Sequence, residues 1–198
     1  MKKISIVIVI VMLAAVFTGC GAPAPTVTQD NTANEEAPID EAVEETQEED
    51  FGPFNENDLT FVHEGVQYPI STPAKPLLDL FGTDFEEIVA PSCSFVGEDK
   101  QFIYDFATVY TYPMDGVDLI NEVYIYGGDF VTGRGIALGD TLEMVIEAYG
   151  EGGFEDGESY VYAVGGDPDD ATSPRLYFDI TDGVVSGISY FGANGIVL

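Results

Sequence analysis

The chain has 198 residues, of which 36 are acidic and 6 are basic, so its formal net charge is -30. So few basic side chains provide no surface that neutralises phosphates, which excludes a nucleic-acid-binding protein. With 13 Phe, 11 Tyr and 45% hydrophobic residues, the chain can bury a real core, which excludes disorder throughout. We expect one modest folded domain.

The amino terminus has the pattern of a secretory signal peptide. Two lysines precede an uncharged apolar run at positions 4–17, which is shorter than the roughly 20 residues of a membrane-spanning helix. The tripeptide Thr18-Gly19-Cys20 then resembles the lipobox of bacterial lipoproteins. The resemblance implies that residues 1–19 are removed and that Cys20 is diacylated, which anchors the protein to the outer face of the cell membrane. The alternative is ordinary secretion with Cys20 as an incidental thiol.

Residues 20–57 are predicted to form a disordered acidic tether that follows the lipidated cysteine. Ala, Pro, Thr, Asn, Gln and acidic residues dominate this segment, and no Lys or Arg opposes the acids. Such a composition cannot fold alone, and its charge keeps it extended. We interpret it as a spacer between membrane and domain, with a cation-binding segment as the alternative.

An internal repeat organises the folded part, residues 58–198. The segment 65–82 aligns without a gap on the segment 133–150, and each has the pattern of a strand, a turn and a helix that ends at glycine. Thr72 and Asp140 are the predicted N-caps of the two helices.

Strands are predicted after each helix, and they correspond between the copies. The pairs are 101–106 with 159–164, 109–111 with 176–178, and 123–127 with 188–192. Asp115-Gly116 and Asp182-Gly183 sit at corresponding places before the last strands and predict hairpin turns. The fold class is therefore α+β, with two tandem copies, about 59–128 and 133–198. Each is a short helix packed on an antiparallel β meander, and the two meanders join in one continuous sheet.

This arrangement resembles the tandem-repeat fold of the β-lactamase inhibitor protein, which also occurs as a single copy in small outer-membrane-assembly lipoproteins. The resemblance is carried by the helix ends Leu-Leu-Asp-Leu-Phe-Gly at 77–82 and Val-Ile-Glu-Ala-Tyr-Gly at 145–150, and by the Asp-Gly hairpins. Separately, Ala-Pro-Ser-Cys-Ser-Phe at 90–95 is similar to a signature of uncharacterised lipoproteins from monoderm bacteria. These resemblances imply a fold and an envelope location. They imply no catalytic residues, because those families are binding proteins or have no assigned role.

Alternation along the strands assigns side chains to the two faces of the sheet. The inner face, beneath the helices, is predicted to carry Val109, Thr111, Val123, Ile125, Leu176, Phe178, Ile188 and Tyr190. The outer face is predicted to carry Tyr110, Tyr112, Tyr124, Tyr126, Tyr177 and Phe191, with Asp179 and other acids around them. The rings would supply rigid contact area, and the acidic side chains would supply specificity and electrostatic steering of a partner. The outer face is therefore a candidate protein-binding surface. The alternative is that tyrosine simply suits an exposed strand.

Candidates for catalysis are weak. Cys93 and the single histidine, His63, form a conceivable dyad, but Cys93 is expected to be a small apolar residue buried in a turn or core. The chain has no Gly-X-Ser-X-Gly motif and too few His and Cys ligands for structural zinc. We therefore expect no catalytic residues and no cofactor.

A loop in the second copy is a weak calcium candidate, because Asp167, Asp169 and Asp170 offer hard oxygen ligands. The sequence does not match an EF-hand, so an acidic solvated loop is the alternative. The leading hypothesis is a lipid-anchored extracytoplasmic module that binds another envelope or extracellular protein. A small-ligand or calcium-binding lipoprotein is the first alternative, and a hydrolase that depends on Cys93 or His63 is the second.

Overall fold

The structure is a computed structural model in which residues 51–193 are described. The signal peptide, Cys20 and the tether up to residue 50 lie outside the described residues, as does the carboxyl terminus from residue 194. A 3₁₀ turn, Glu56–Asp58, opens the described part. The elements that follow are β1 Thr60–His63, β2 Val66–Pro69, α1 Lys75–Phe81, β3 Glu86–Pro91, β4 Glu98–Ile103, β5 Ala107–Met114, β6 Val117–Ile125, β7 Val131–Thr132, α2 Leu142–Tyr149, β8 Phe154–Asp156, β9 Ser159–Ala163, β10 Arg175–Thr181 and β11 Val184–Phe191.

Within residues 51–193 the strands form two sheets, so the fold is mostly antiparallel β-sheet with two helices. Eight strands pair in the order β3-β4-β5-β6-β11-β10-β9-β8, and three pair in the order β2-β1-β7. Each helix is followed in the chain by four strands of the large sheet, and β6 pairs with β11 where the two groups of strands meet. All described strand pairs are antiparallel.

Two Asp-Gly turns join the longest strands, as the sequence predicts. Asp115 and Gly116 connect β5 to β6 with φ values of 51° and 79°, and Asp182 and Gly183 connect β10 to β11 with φ values of 53° and 84°. Consecutive positive φ values match the right-handed twist of a hairpin, and aspartate and glycine accept them at low cost. The local sequence therefore determines the register of both hairpins.

The helix starts differ from the predicted ones by one or two residues. The N-cap of α2 is Thr141, whose hydroxyl accepts a hydrogen bond from the Met144 amide at 3.3 Å. Asp140, the predicted N-cap, lies one residue earlier and accepts from the Ala137 amide instead. Thr141 takes the cap because its backbone is extended while its side chain still reaches the first turn.

The first helix has no side-chain cap. It begins after Ala74, and the predicted cap Thr72 donates instead to the Pro69 carbonyl at 2.7 Å. Pro76 lies in the first turn, where its missing N–H costs nothing. Both helices end at the predicted glycines, Gly82 and Gly150, whose φ values are 88° and 83°.

The core lies between the large sheet and the layer formed by the helices and β1. All eight residues predicted for the inner face are buried, at most 1% exposed. Phe61 of β1 packs against Tyr190, with ring centroids 5.6 Å apart, and Tyr149 of α2 packs against Phe178 at 5.4 Å. The predicted inner face is therefore confirmed, and the opposite face of the sheet turns outward.

The folded region begins earlier than the sequence predicts. The sequence predicts that residues 51–57 belong to the tether, but the Phe54 ring lies 5.6 Å from the Tyr162 ring. Arg134 donates to both carboxylate oxygens of Asp58 at 2.7 and 2.8 Å and to the Gly52 carbonyl at 3.0 Å. The Arg134 and Asp58 side chains are 3% and 8% exposed. The Phe54 ring contact and the bond from Arg134 to the Gly52 carbonyl hold the segment against the domain, which composition alone does not reveal.

Candidate functional site

The candidate site is a concavity on the outer face of the large sheet, across the pairing of β6 with β11. Its position follows from the strand register. Tyr124 of β6 lies opposite Ser189 of β11, and Ser189 lies opposite Tyr177 of β10. In the next row, Glu122 lies opposite Phe191. Tyr124 of β6 and Tyr177 of β10 therefore flank Ser189, a smaller outward side chain of β11.

Two small residues of β11 lie on the outer face beside larger side chains of the neighbouring strands. Gly187 lies opposite Asp179, and Ser189 lies opposite Tyr124 and Tyr177. A Cβ at position 187 would lie 2.8 Å from the Tyr124 ring and 2.8 Å from Oδ2 of Asp179. Glycine is thus required here by close approach of side chains, and not by its backbone angles.

Hydrogen bonds link the side chains across β11. The Tyr124 hydroxyl donates to Oδ2 of Asp179 at 2.9 Å, above Gly187. The Ser159 hydroxyl donates to Oδ1 of the same carboxylate at 2.6 Å. Burial and then this bond to Asp179 raise the pKa of Tyr124 to about 12. The phenol therefore stays protonated and holds the carboxylate in a fixed orientation.

A second carboxylate lies in the same concavity. Glu122 accepts a hydrogen bond from the Ser189 hydroxyl at 2.6 Å. Burial raises the pKa of the Glu122 carboxyl, the bond from Ser189 lowers it, and the negative charge of Asp179 raises it, so that the net shift is upward. Burial and the Glu122 charge likewise raise the pKa of Tyr110. Ionised Glu122 is therefore poorly solvated and close to another negative charge.

The concavity is shallow and open, with a volume of about 380 Å³. Its lining consists of Glu122, Tyr124, Tyr177, Asp179, Ser189 and Phe191. The Tyr177 and Phe191 rings meet edge to face with centroids 6.5 Å apart. The rings and the two carboxylates together form a surface that is both aromatic and negatively charged.

The structure brings most of the predicted surface residues to this face. Tyr110, Tyr124, Tyr126, Tyr177 and Phe191 are all half-buried. The Tyr126 hydroxyl donates to the carbonyls of Tyr104 and Ala107, so its polar end is used inside the domain. Tyr124 and Tyr126 rings lie 5.4 Å apart.

Tyr112 is a correction to the predicted surface. Its side chain is only 3% exposed, because the loop between β3 and β4 folds over it. Phe95 of that loop lies 4.9 Å from Tyr112 between ring centroids. Tyr112 points to the outer side of the sheet, as alternation predicts, but it cannot contact a partner.

The aspartate loop does not gather its carboxylates around a common point. Asp167 accepts from the Asp169 amide, and both oxygens of Asp170 accept from Thr172 and Ser173. These bonds, first that of the Thr172 hydroxyl, lower the pKa of Asp170. Within residues 51–193 no group of three or more His, Cys, Asp or Glu is placed to hold a metal ion. The loop therefore gives no support to the calcium interpretation.

The buried cation Arg175 organises that loop instead. Its guanidinium donates to the Pro168 carbonyl at 3.0 Å and to the Asp170 carbonyl at 2.8 Å. Arg175 pairs in register with Phe191 and lies over the Phe154 ring at 5.5 Å. The loop thus covers one side of the outer face, next to the concavity.

Cys93 differs from the expectation of burial, because its thiol is exposed in the loop after β3. The Ser92 hydroxyl oxygen accepts from the amides of Ser94 and Phe95, which tightens the turn that contains Cys93. His63 lies in β1, and its ring is 4.5 Å from that of Phe130. Among the described residues no hydrogen bond joins Cys93 to His63, so the structure gives no support to a dyad.

Glu122, Gly187 and Ser189 are site residues that the sequence analysis did not single out. Alternation alone places all three on the same face as Tyr124 and Tyr177. For Gly187 and Ser189 the signal is two small residues at alternate positions of β11, since a glycine inside a strand marks a close approach; no such signal marks Glu122. Their partners depend on the pairing of β6 with β11, which no local pattern specifies.

Comparisons of the chain with protein-family models, with curated proteins and with solved structures found no match. No helix within residues 51–193 is long and apolar enough to cross a membrane.

Proposed function

We propose that the protein is a lipid-anchored, extracytoplasmic interaction module whose acidic, tyrosine-rich sheet face binds another envelope or extracellular protein, without catalysing a reaction. The observation that carries this proposal is the open concavity of half-buried rings and carboxylates on the outer sheet face. Rings provide contact area at little cost in conformational entropy, and charges around them select and steer a partner.

Site-specific cross-linking in the native envelope tests this proposal. A photo-reactive amino acid at Tyr177, inside the concavity, is expected to give a discrete protein adduct. The matched control carries the same group at Met144, which is exposed on α2 beyond the core layer. Equal adducts from both positions, or none from Tyr177, would count against the sheet face as the binding surface.

The membrane anchor has its own test, because Cys20 lies outside the described residues. Two acyl chains, at about 0.8 kcal/mol per buried methylene, hold a protein durably to a bilayer. The strongly acidic chain would otherwise be repelled by anionic headgroups. We expect Cys20→Ser to move the protein from the membrane to the soluble fraction on centrifugation. A variant that stays with the membrane contradicts lipidation at this residue.

We also propose that the domain consists of two tandem copies related by the alignment of 65–82 with 133–150. The element order supports this proposal, since each helix precedes four strands that pair in chain order. Aligned residues also make the same backbone contacts. Ser71 and its aligned Gly139 donate to Ile120 and Val185, at 2.8 Å in each case.

The segment before each helix gives further support. Ile120 donates to Thr72, and Val185 donates to the aligned Asp140, at 2.9 and 2.8 Å. An experimental structure in which residues 65–128 fail to superpose on 133–192 would refute the tandem arrangement.

A further inference from the structure

We propose that the concavity across β6 and β11 receives a lysine or arginine side chain of the partner protein. This inference rests on the proposed function and names the chemistry of the partner at that site. The residues that would bind the cation are the carboxylates of Glu122 and Asp179 and the rings of Tyr124, Tyr177 and Phe191.

Charge complementarity is the first argument. The two carboxylates lie in one concavity, and no basic side chain of residues 51–193 lines it. The nearest cation in the register, Arg175, donates to the Pro168 and Asp170 carbonyls and is 6% exposed. Among the described residues no basic side chain neutralises the concavity, so its negative charge is available to a cation from a partner.

The electrostatics of Glu122 give the second argument. Burial and the charge of Asp179 both raise the pKa of this carboxyl, which means that its charged form is unfavourable in the unbound protein. A cation placed between the two carboxylates puts a positive charge close to Glu122, which favours its ionised form and lowers its pKa. Binding of a cation therefore relieves an unfavourable interaction that the fold maintains.

The rings give the third argument, because they favour an organic cation. A lysine ammonium or an arginine guanidinium is attracted to the face of an aromatic ring, and its apolar stem packs against ring edges. The volume of about 380 Å³ lies at the lower end of the range for small-molecule pockets, and the concavity is open. It therefore suits one side chain that projects from a larger surface.

The preorganisation of the site gives the fourth argument. Hydrogen bonds from Tyr124 and Ser159 fix the orientation of Asp179, and Ser189 fixes that of Glu122. Each carboxylate can still accept further bonds from an ammonium or guanidinium group. A site with its acceptors already oriented loses little entropy when a charged donor arrives.

The test is a titration of the full-length protein in detergent micelles, observed by NMR of its labelled tyrosine rings at 0.15 M salt. The probe is the peptide acetyl-Gly-Gly-Lys-Gly-Gly-amide, and a second peptide carries norleucine in place of lysine. We expect saturable shifts of the Tyr124 and Tyr177 signals with the lysine peptide only. Equal binding of the norleucine peptide would overturn the inference.

Two variants that remove the same number of negative charges test whether peptide binding depends on this site or on the overall acidity of the protein. Glu122→Gln with Asp179→Asn is expected to weaken lysine-peptide binding about tenfold or more. The control, Glu143→Gln with Glu147→Gln, removes the same charge from exposed positions of α2 and is expected to leave the affinity within about twofold, because salt screens distant charges. An equal loss in both variants would show that the peptide responds only to net charge.

The cross-linking assay distinguishes failure of this inference from failure of the proposed function. If the Tyr177 adduct persists in the Glu122→Gln, Asp179→Asn variant, the sheet face binds a partner but not through a basic side chain. If the protein that carries the photo-reactive group at position 177 and no other change gives no adduct, the proposed function itself fails. If the adduct forms at position 177 and is lost only when Glu122→Gln and Asp179→Asn are added, the result supports both the proposed function and this inference.

Discussion

Replacing Gly187 by alanine tests whether the small residues of β11 maintain the candidate site. A Cβ at this position would lie 2.8 Å from the ring and hydroxyl of Tyr124 and 2.8 Å from Oδ2 of Asp179. The backbone itself accepts alanine, because its φ is outside the left-handed region. The whole effect must therefore come from displaced side chains, above all from the hydrogen bond that crosses the strand.

The magnitude follows from two opposing terms. Loss of a hydrogen bond to a charged acceptor costs about 1.5–3 kcal/mol, whereas alanine at a compatible glycine position stabilises by about 0.4–1 kcal/mol through the unfolded state. We expect Gly187→Ala to lower the free energy of unfolding by about 1–2 kcal/mol. Its measurement is urea unfolding followed by circular dichroism.

A second readout reports on the site directly. In the native protein the pKa of Tyr124 is raised to about 12, and release of its ring to solvent should bring it back toward 10.0. An NMR titration of labelled tyrosine resolves this change. The matched control is Gly152→Ala, since no atom lies within 4 Å of a Cβ there and its φ is ordinary. If both variants are equally stable and the Tyr124 pKa stays near 12, the argument from close approach is wrong.

Two further perturbations test the electrostatics. Because the folded-state pKa of Glu122 is raised, its ionisation destabilises the fold above that pKa, so Glu122→Gln should unfold at higher urea concentration at pH 7. This advantage should shrink as the pH falls through the raised pKa and be absent below the ordinary pKa of 4.5, and a variant that is less stable at pH 7 would contradict the unfavourable charge beside Asp179. Asp58→Ala leaves buried Arg134 without its carboxylate and should lower the free energy of unfolding by about 3–5 kcal/mol. The exposed control Asp79→Ala should change it by less than about 1 kcal/mol in the same urea assay, and similar losses in both would refute the importance of burial.

Much of the sheet could be predicted from sequence because its determinants are local. Alternation assigns Val109 and Leu176 inward and Tyr124 and Tyr177 outward, since successive side chains of a strand point to opposite faces. Asp-Gly pairs specify hairpin turns through their tolerance of positive φ. These patterns require no knowledge of which strands are neighbours.

The site itself depends on contacts between segments far apart in the chain. Tyr124 reaches Asp179 only because β6 and β11 pair, and Tyr112 is covered by a loop whose path is not periodic. The burial of Asp58 likewise depends on Arg134, which is 76 residues away. Alternation predicts the direction of a side chain, but exposure also depends on which loop lies over it, and no local pattern contains that information.

The pairing of β6 with β11 spans only 122–125 against 188–191, much less than the hairpin on either side of it. The concavity has Glu122 and Tyr124 on one side of this short ladder and Tyr177 and Asp179 on the other. A ligand that contacts both sides adds bonds across a junction with fewer paired residues than either neighbouring hairpin. By linkage, the free energy of binding a partner there would also stabilise the pairing of β6 with β11. A bound partner would therefore slow amide exchange in this ladder more than in the two hairpins.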